Sequence, residues 1–231
     1  MKENKIWNDY LPEDMQEHWT VYECLKESED SSTFLVKETV TGILCVLKWG
    51  RNRQAEFLRN EMEIMEKMAD RKLSGIPKTY RIFEENGEVY LVREYIEGMS
   101  LAQMVLQKGG ISEAEICRIS RKICQTAEQF QNPDEPMIHR DIKPENIVVT
   151  PGGEVVFIDF GTMRSYKKDG SRDTFVVGTR GTAAPEQYGY TQTDQRTDVY
   201  AIGQTMLYMV SESYEMNQLS ECAVSRRMKK I

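Results

Sequence analysis

One short stretch of the chain carries residues whose types and spacing suit the transfer of a phosphoryl group. Residues 139–146 include Asp141, Lys143 and Asn146, and Asp159 follows after one short predicted hairpin. In such a transfer a carboxylate orients the accepting hydroxyl, and a lysine neutralises charge on the moving phosphoryl. An amide oxygen and a second carboxylate are ligands that suit Mg²⁺. These residues therefore predict phosphoryl transfer from a magnesium-bound nucleotide.

The neighbouring residues extend this pattern into a longer motif. The chain reads His139-Arg140-Asp141-Ile142-Lys143-Pro144-Glu145-Asn146 and later Asp159-Phe160-Gly161. This motif resembles the signature of the eukaryotic-type protein kinases, and the lysine after the aspartate is typical of the Ser/Thr branch. The stretch 178–188 is similar to bacterial members of the family. The resemblance implies ATP and Mg²⁺ as cofactors, and a protein with a Ser or Thr hydroxyl as the acceptor.

The elements that must position these residues follow the same resemblance. It implies an α+β, bilobal protein-kinase fold, with a small β-rich N-lobe that contains one helix and a larger helical C-lobe. Short apolar runs between turns precede residue 50, and helical periodicity dominates after residue 99, in agreement with this fold. The family usually has three or more helices after the one beginning near residue 198, so we expect a truncated C-lobe. The expected parts are an N-terminal extension (1–19), the N-lobe (20–93), a hinge (94–98) and the incomplete C-lobe (99–231).

A lysine and a glutamate in the predicted N-lobe are expected to pair. Lys48 ends an apolar strand, and Glu61 lies on the apolar stripe of the predicted helix, beside Leu58 and Met62. An unpaired carboxylate is costly to bury, so Glu61 needs a cation. Glu56 and Glu63 fit the stripe less well. The resemblance makes Lys48 the partner, and it implies that this lysine binds the α- and β-phosphates.

The resemblance assigns a role to each remaining residue of the predicted site. Asp141 would orient the substrate hydroxyl, and Lys143 would stabilise the transferring γ-phosphoryl. Asn146 and Asp159 would coordinate Mg²⁺. The other assignments are nucleotide binding by Glu94 and Ile96 of the hinge, and substrate contact by Glu145 and Thr179.

Regulation and loop support are also implied by the resemblance. Arg140 would hold a phosphate on the activation loop, and Thr174 is the first choice for that phosphate, ahead of Ser165, Ser171 and Thr179. His139 is expected to be a buried scaffold, and Asp198 is expected to anchor the backbone around it. Glu186 would pair with a late arginine, which the sequence does not visibly contain.

The sequence departs from the family where a glycine-rich loop is expected. The three glycine positions fall on Lys26, Ser28 and Ser31, within an acidic segment. Carboxylates there should repel phosphates, unless Lys26 and the serine hydroxyls compensate. Val46 replaces the usual alanine of the adenine pocket. Arg93 holds the position before the hinge, where it would reach Glu61, narrow the pocket or, in a shifted alignment, face solvent.

Three functions stay open at this point. The leading prediction is an ATP-dependent protein serine/threonine kinase, regulated through its activation loop. The alternative is a pseudokinase or scaffold with weak nucleotide binding, which the missing glycines favour. A third reading is a small-molecule phosphotransferase of kinase-like fold, although Ala184-Pro185-Glu186 is typical of a platform for peptide substrates.

Composition narrows the partners and the compartment. The 231-residue chain has a net charge of −7, which argues against nucleic acid as the main partner. Its five cysteines form no C-x-x-C pair and indicate reduced thiols. No apolar run approaches the roughly 18 residues of a membrane span. We therefore expect a cytoplasmic protein, or the cytoplasmic part of a longer membrane-anchored one, and the sequence predicts no oligomeric state.

Overall fold

Two compact units make up the chain. The computed structural model describes residues 11–69, 71, 73–108, 111–131, 135–166, 177–189 and 192–215. The first unit comprises Met1–Lys67 with Pro77–Tyr95, and the second comprises Met68–Ile76 with Ile96–Ile231. No helix within these described ranges is long and apolar enough to cross a membrane.

In its described part, the first unit contains an antiparallel sheet of five strands and two helices. The elements are α1 (Glu13–Gln16), β1 (Trp19–Glu27), β2 (Ser31–Glu38), β3 (Leu44–Gly50), α2 (Arg53–Ala69), β4 (Thr79–Glu85) and β5 (Glu88–Glu94). The strands lie in the order β1-β2-β3-β5-β4. Asn86 and Gly87 turn the hairpin between β4 and β5 with φ of 52° and 83°, a left-handed conformation that suits this dipeptide.

One apolar face of this sheet is covered by residues near the start of the chain. Leu11, Met15 and Trp19 are buried and share a core with side chains of β2, β3 and β5, including Phe34 and Leu47. The alternation of buried and exposed residues along β2 places Phe34 and Val36 on that face. Trp19 therefore belongs to the sheet and its core, although the sequence had placed it in the N-terminal extension.

Helix α2 packs against a second, smaller core. Ala55 and Leu58 of the helix contact Val89 and Leu91 of β5. The chain enters the helix through Gly50, where an added Cβ would lie 3.0 Å from the backbone of Gln54. This close approach favours glycine and places the start of α2 directly after the strand that carries the predicted lysine.

The second unit is mainly helical, with short strand pairs between its helices. Ser112 caps the helix that begins at Glu113 by accepting a hydrogen bond from the Glu115 amide, and the Glu115 carboxylate pairs with Lys108. The elements are β6 (Met99–Ser100), α3 (Leu101–Lys108), α4 (Glu113–Glu128), β7 (Met137–Ile138), β8 (Ile147–Val149), β9 (Val155–Phe157), β10 (Arg164–Ser165) and α5 (Gln195–Ser211).

A group of aromatic rings forms the centre of this unit. Phe130, Phe157 and Phe160 are fully buried around His139, with ring centroids 5.3 to 6.1 Å from the imidazole. His139 lies between β7 and the site loop, so its ring fixes the loop against the core. Phe160 packs inward beside it.

Candidate active site

The predicted ion pair of the first unit is present. Lys48 Nζ donates to both carboxylate oxygens of Glu61, at 3.0 and 2.7 Å. The two side chains are 11% and 1% exposed, so each charge helps to stabilise the other in a nearly dry site. Glu56 is exposed, and Glu63 pairs with Lys67 on the outer side of the helix. The choice of Glu61 from the apolar stripe is therefore supported by the geometry.

The surroundings of Arg93, just before the predicted hinge, exclude one of our expectations. Arg93 is 4% exposed, so the solvent-facing alternative is wrong. Its Nη1 donates to the backbone oxygen of Glu94 at 3.0 Å. The Glu94 carboxylate in turn accepts the Lys78 amide at 3.0 Å. Ile96, the other predicted hinge residue, is partly exposed at the start of the second unit.

The loop at the predicted glycine positions is closed by its own hydrogen bonds. The Ser28 amide donates to the Ser31 carbonyl at 2.8 Å, and the two hydroxyl oxygens are 2.8 Å apart. These groups satisfy one another in the structure. The predicted compensation, in which the serine hydroxyls face a phosphate, would require this small network to open.

An ionic contact ties the same loop to the turn after β3. Arg51 Nε donates to Asp30 Oδ1 at 2.8 Å, and Asn52 Nδ2 donates to the same oxygen at 3.0 Å. Arg51 also donates through Nη2 to the Glu29 carbonyl at 3.0 Å. We call these contacts of Glu29 and Asp30 with Arg51 and Asn52 the loop latch. Sequence reasoning missed it.

Asp141 is the centre of the predicted site in the second unit. Its Oδ2 accepts Lys143 Nζ at 2.7 Å and Asn146 Nδ2 at 3.0 Å. Its Oδ1 accepts the Thr179 hydroxyl at 2.8 Å, and Lys143 donates to that hydroxyl at 2.6 Å. The structure therefore brings three predicted residues, Lys143, Asn146 and Thr179, together around the carboxylate of a fourth, Asp141. Such a carboxylate can accept a proton from a hydroxyl group, which is the chemistry expected of it.

A buried carboxylate holds the backbone of this loop. Asp198 accepts the amides of His139 and Arg140, both at 2.9 Å, as predicted. Burial raises the pKa of Asp198 to about 6, although these two hydrogen bonds and the nearby Arg140 charge oppose the rise. Burial also lowers the pKa of His139 to about 4. Arg140 adopts φ of 68°, a left-handed backbone that the paired amides help to maintain.

The donor set at Asn146 and Asp159 fits a magnesium ion. The Ile158 amide donates to the Asn146 carbonyl at 3.0 Å, which places the residue before Asp159 against Asn146. Because the Asn146 amide nitrogen is directed at Asp141, its side-chain oxygen is left for other partners. An amide oxygen and a carboxylate are hard oxygen ligands of the kind Mg²⁺ prefers. The described residues contain no cluster of three or more His, Cys, Asp or Glu side chains able to hold a metal.

The segment 177–188 contacts the same loop through a residue whose role the sequence did not reveal. Gln187 is 4% exposed and donates to the carbonyls of Arg140 and Val177. Glu186 beside it is only half-buried, and its carboxylate accepts the Thr197 hydroxyl at 2.7 Å. A hydroxyl of α5 therefore serves this half-buried carboxylate, and the absence of a late arginine partner stays a prediction, because residues after 215 lie outside the described ranges.

The predicted regulatory and substrate residues have different surroundings. Arg140 Nε donates to the Thr162 carbonyl at 2.6 Å, which holds its guanidinium beside the Asp159-Phe160-Gly161 turn. Glu145 is exposed. Burial raises the pKa of Tyr208, and the negative charge of Glu145 adds to this rise. Thr174 lies outside the described residues.

Comparisons with known proteins agree on one family. The family model described as "Protein kinase domain" matches residues 20–230. A serine/threonine-protein kinase D of Synechocystis is 32% identical over 164 residues, which are 68% of this chain and 31% of that protein. A probable serine/threonine-protein kinase of Clostridium perfringens is 34% identical over 137 residues, or 59% of this chain and 20% of that protein.

A third bacterial relative extends this similarity. The probable serine/threonine-protein kinase PknB of Corynebacterium glutamicum is 29% identical over 160 residues, which are 68% of this chain and 24% of that protein. The chain thus spans about a third or less of the length of these relatives. Bacterial proteins are among its relatives, as the sequence predicted.

Proposed function

Because the chain belongs to the protein kinase domain family, we propose that it is an ATP-dependent protein serine/threonine kinase. Its acceptor is proposed to be a Ser or Thr hydroxyl of another protein. The single observation that carries the proposal is the arrangement at Asp141. One carboxylate there accepts a hydroxyl at 2.8 Å while a lysine contacts the same hydroxyl at 2.6 Å. This is the pairing needed to transfer a phosphoryl group to an alcohol.

Each predicted residue has a role in this proposal. Asp141 orients the acceptor hydroxyl and takes its proton, and Lys143 stabilises the charge of the moving phosphoryl. Lys48, held by Glu61, binds the α- and β-phosphates, and the hinge backbone at Glu94 and Ile96 binds the base. Asn146 and Asp159 hold Mg²⁺, and Glu145 and Thr179 contact the substrate. When bound, Mg²⁺ would supply the positive charge that offsets the charge of the phosphates.

The compartment and the regulation belong to the same proposal. The described cysteines are free thiols, which suits the reducing cytoplasm where ATP is available. Arg140 is proposed to bind a phosphate on the activation loop, with Thr174 as the modified residue. We expect Thr174→Ala to lower turnover severalfold, and equal turnover of the two proteins would contradict this assignment.

One observation favours a second candidate function. The loop latch closes the loop that, in the family, approaches the nucleotide phosphates, and the loop amide of Ser28 already has a partner. A scaffold with weak nucleotide binding would tolerate such a loop. The intact residues around Asp141 argue against this alternative, because a protein without turnover has no chemical need for them.

The decisive experiment measures intact protein mass after incubation with Mg·ATP and a peptide acceptor. Wild-type protein should transfer phosphate to itself or to the peptide, and Asp141→Asn should not. The substitution keeps size and hydrogen-bonding capacity, so folding is expected to be retained and can be checked by circular dichroism. Phosphate on neither protein nor on the peptide would support the scaffold.

A further inference from the structure

A single buried amide joins three separate backbone segments beside Asp141. Gln187 Nε2 donates to the Arg140 carbonyl at 2.7 Å and to the Val177 carbonyl at 2.9 Å. Its Oε1 accepts the Ala184 amide at 2.9 Å. Both amide hydrogens are therefore used, and the side chain is 4% exposed. Because water is excluded, none of these three backbone groups has an easy substitute partner.

These contacts determine where Thr179 lies. Gln187 fixes Val177, two residues before Thr179, and Ala184, five residues after it. Between these points the Thr179 carbonyl accepts the amides of Thr182 and Ala183, at 3.1 and 2.8 Å. The turn that carries Thr179 is thus closed internally and held at both ends by one side chain. Through Arg140, the same side chain holds the residue before Asp141.

The local backbone is shaped around this amide. Gly178 has φ of 123°, and an added Cβ would lie 2.7 Å from Gln187 Nε2. Carboxylate oxygens in place of the amide nitrogen would face two carbonyl oxygens at hydrogen-bond distance. The position therefore requires a donor and an acceptor on one planar group, which glutamine provides and glutamate does not.

We propose that Gln187 is a positioning residue for the acceptor side of the reaction. It does not contact the reacting groups; it holds Thr179 against Asp141 and Lys143 and so sets the geometry in which an acceptor hydroxyl meets Asp141. This inference rests on the proposed kinase function. Small misplacements of a reacting group lower the rate by large factors, so we expect substitution of Gln187 to lower kcat with the acceptor. Nucleotide affinity should not change.

The test is Gln187→Glu, compared with Gln129→Glu in the same unit. Gln129 offers a matched control because its amide also ties down a distant backbone segment: it accepts the Ser74 amide at 2.9 Å and donates to the Ser74 carbonyl at 3.0 Å. We expect Gln187→Glu to lower kcat with a peptide acceptor by about 10- to 100-fold. The KM for ATP should stay within about twofold, and Gln129→Glu should keep both constants.

A double-mutant cycle separates positioning from a general loss of structure. If Gln187 acts through Thr179, Gln187→Glu should cost little further activity in a Thr179→Val background. Additive losses would overturn the proposal, as would unchanged kcat or an equal loss in Gln129→Glu. Gln187→Asn, which keeps the amide, serves as the second variant. Unfolding of both Gln187 variants would make the residue purely structural and would also overturn the proposal.

One readout is independent of turnover. If the wild-type protein transfers no phosphate, the proposed function fails, but amide hydrogen exchange can still show whether Gln187 holds the neighbouring backbone. Gln187→Glu should accelerate exchange at residues 182–184 relative to wild type, while Gln129→Glu should not. Unchanged exchange there would overturn the positioning role whatever the protein's activity.

Discussion

The segment 177–188 and the loop between β1 and β2 are both tied to a neighbouring stretch of backbone, but by opposite means. The first is held by a neutral, buried amide that satisfies three backbone groups. The second is held by the loop latch, whose Arg51 and Asp30 side chains are each 43% exposed. Buried hydrogen bonds are costly to break, whereas exposed ion pairs contribute about 0–1 kcal/mol. Segment 177–188 is therefore held rigidly, whereas the loop between β1 and β2 can open at a low free-energy cost.

The largest loss of stability should follow removal of the buried ion pair between Lys48 and Glu61. Glu61→Ala removes the carboxylate that pairs with Lys48 through both of its oxygens in a nearly dry site. We expect a loss of about 3–5 kcal/mol in the free energy of unfolding. Urea denaturation followed by circular dichroism measures it. Glu84→Ala breaks the exposed pair with Arg59 in the same unit and should cost about 0–1 kcal/mol. Similar losses in the two variants would remove the distinction between buried and exposed ties.

The second prediction uses pH to probe the buried loop around Asp141. His139 has a folded pKa of about 4, below its ordinary 6.5, so its stabilising contribution is complete above pH 6.5 and is lost as the pH falls towards 4. Asp198 has a folded pKa of about 6, above its ordinary 3.8. Its contribution is complete below about pH 4 and is lost as the pH rises through 6. The two contributions oppose each other in the wild-type protein.

Single variants should therefore reveal opposite slopes. Relative to wild type, His139→Phe should gain stability between pH 6.5 and 4, by about 3 kcal/mol, because only Asp198 still titrates there. Asp198→Asn should lose a similar amount over the same interval. Unfolding free energies measured at several pH values test both. Parallel profiles of the two variants would show that the loop is not buried as the structure has it.

The smallest effect on stability is expected at the loop latch. Arg51→Ala should change the free energy of unfolding by at most about 1 kcal/mol, because its ion pair is half-exposed. Loss of the loop latch should nevertheless loosen the loop between β1 and β2. In the wild-type protein, 1 M salt should loosen the same loop in part, because salt screens the ion pair between Arg51 and Asp30. Binding of a fluorescent Mg·nucleotide to Arg51→Ala and to the control Arg59→Ala provides the measurement. A change in affinity shared by both variants would point to overall charge instead of the latch.

Much of the architecture was predictable because it depends on periodic burial. The apolar stripe of α2 selected Glu61, and the alternating runs located β2 and β3. The pairing of Asp198 with the loop amides followed from the family motif. The first two features depend on residues whose spacing along the chain is fixed by helix or strand geometry, so the sequence carries the signal directly. The third depends on the resemblance alone.

The contacts of Asp30, Gln187 and Glu186 could not be predicted from sequence periodicity. Asp30 and Arg51 are 21 residues apart on two loops, and no periodicity relates them. Gln187 directly follows the Ala184-Pro185-Glu186 motif, but its burial depends on how segment 177–188 folds against the backbone of Arg140. The Glu186 carboxylate accepts the hydroxyl of Thr197, which lies eleven residues further along the chain. In each case the partner is chosen by tertiary placement of irregular backbone, which local sequence does not encode.

The close approach at Gly178 has a consequence for how this site can change over evolution. A Cβ there would lie 2.7 Å from Gln187 Nε2 and 2.8 Å from the Cβ of Ala183, and the φ of 123° is one that side-chain-bearing residues rarely adopt. Three independent constraints therefore act on this one position. Relatives that share the fold of segment 177–188 are expected to keep glycine there, whether or not they keep the glutamine.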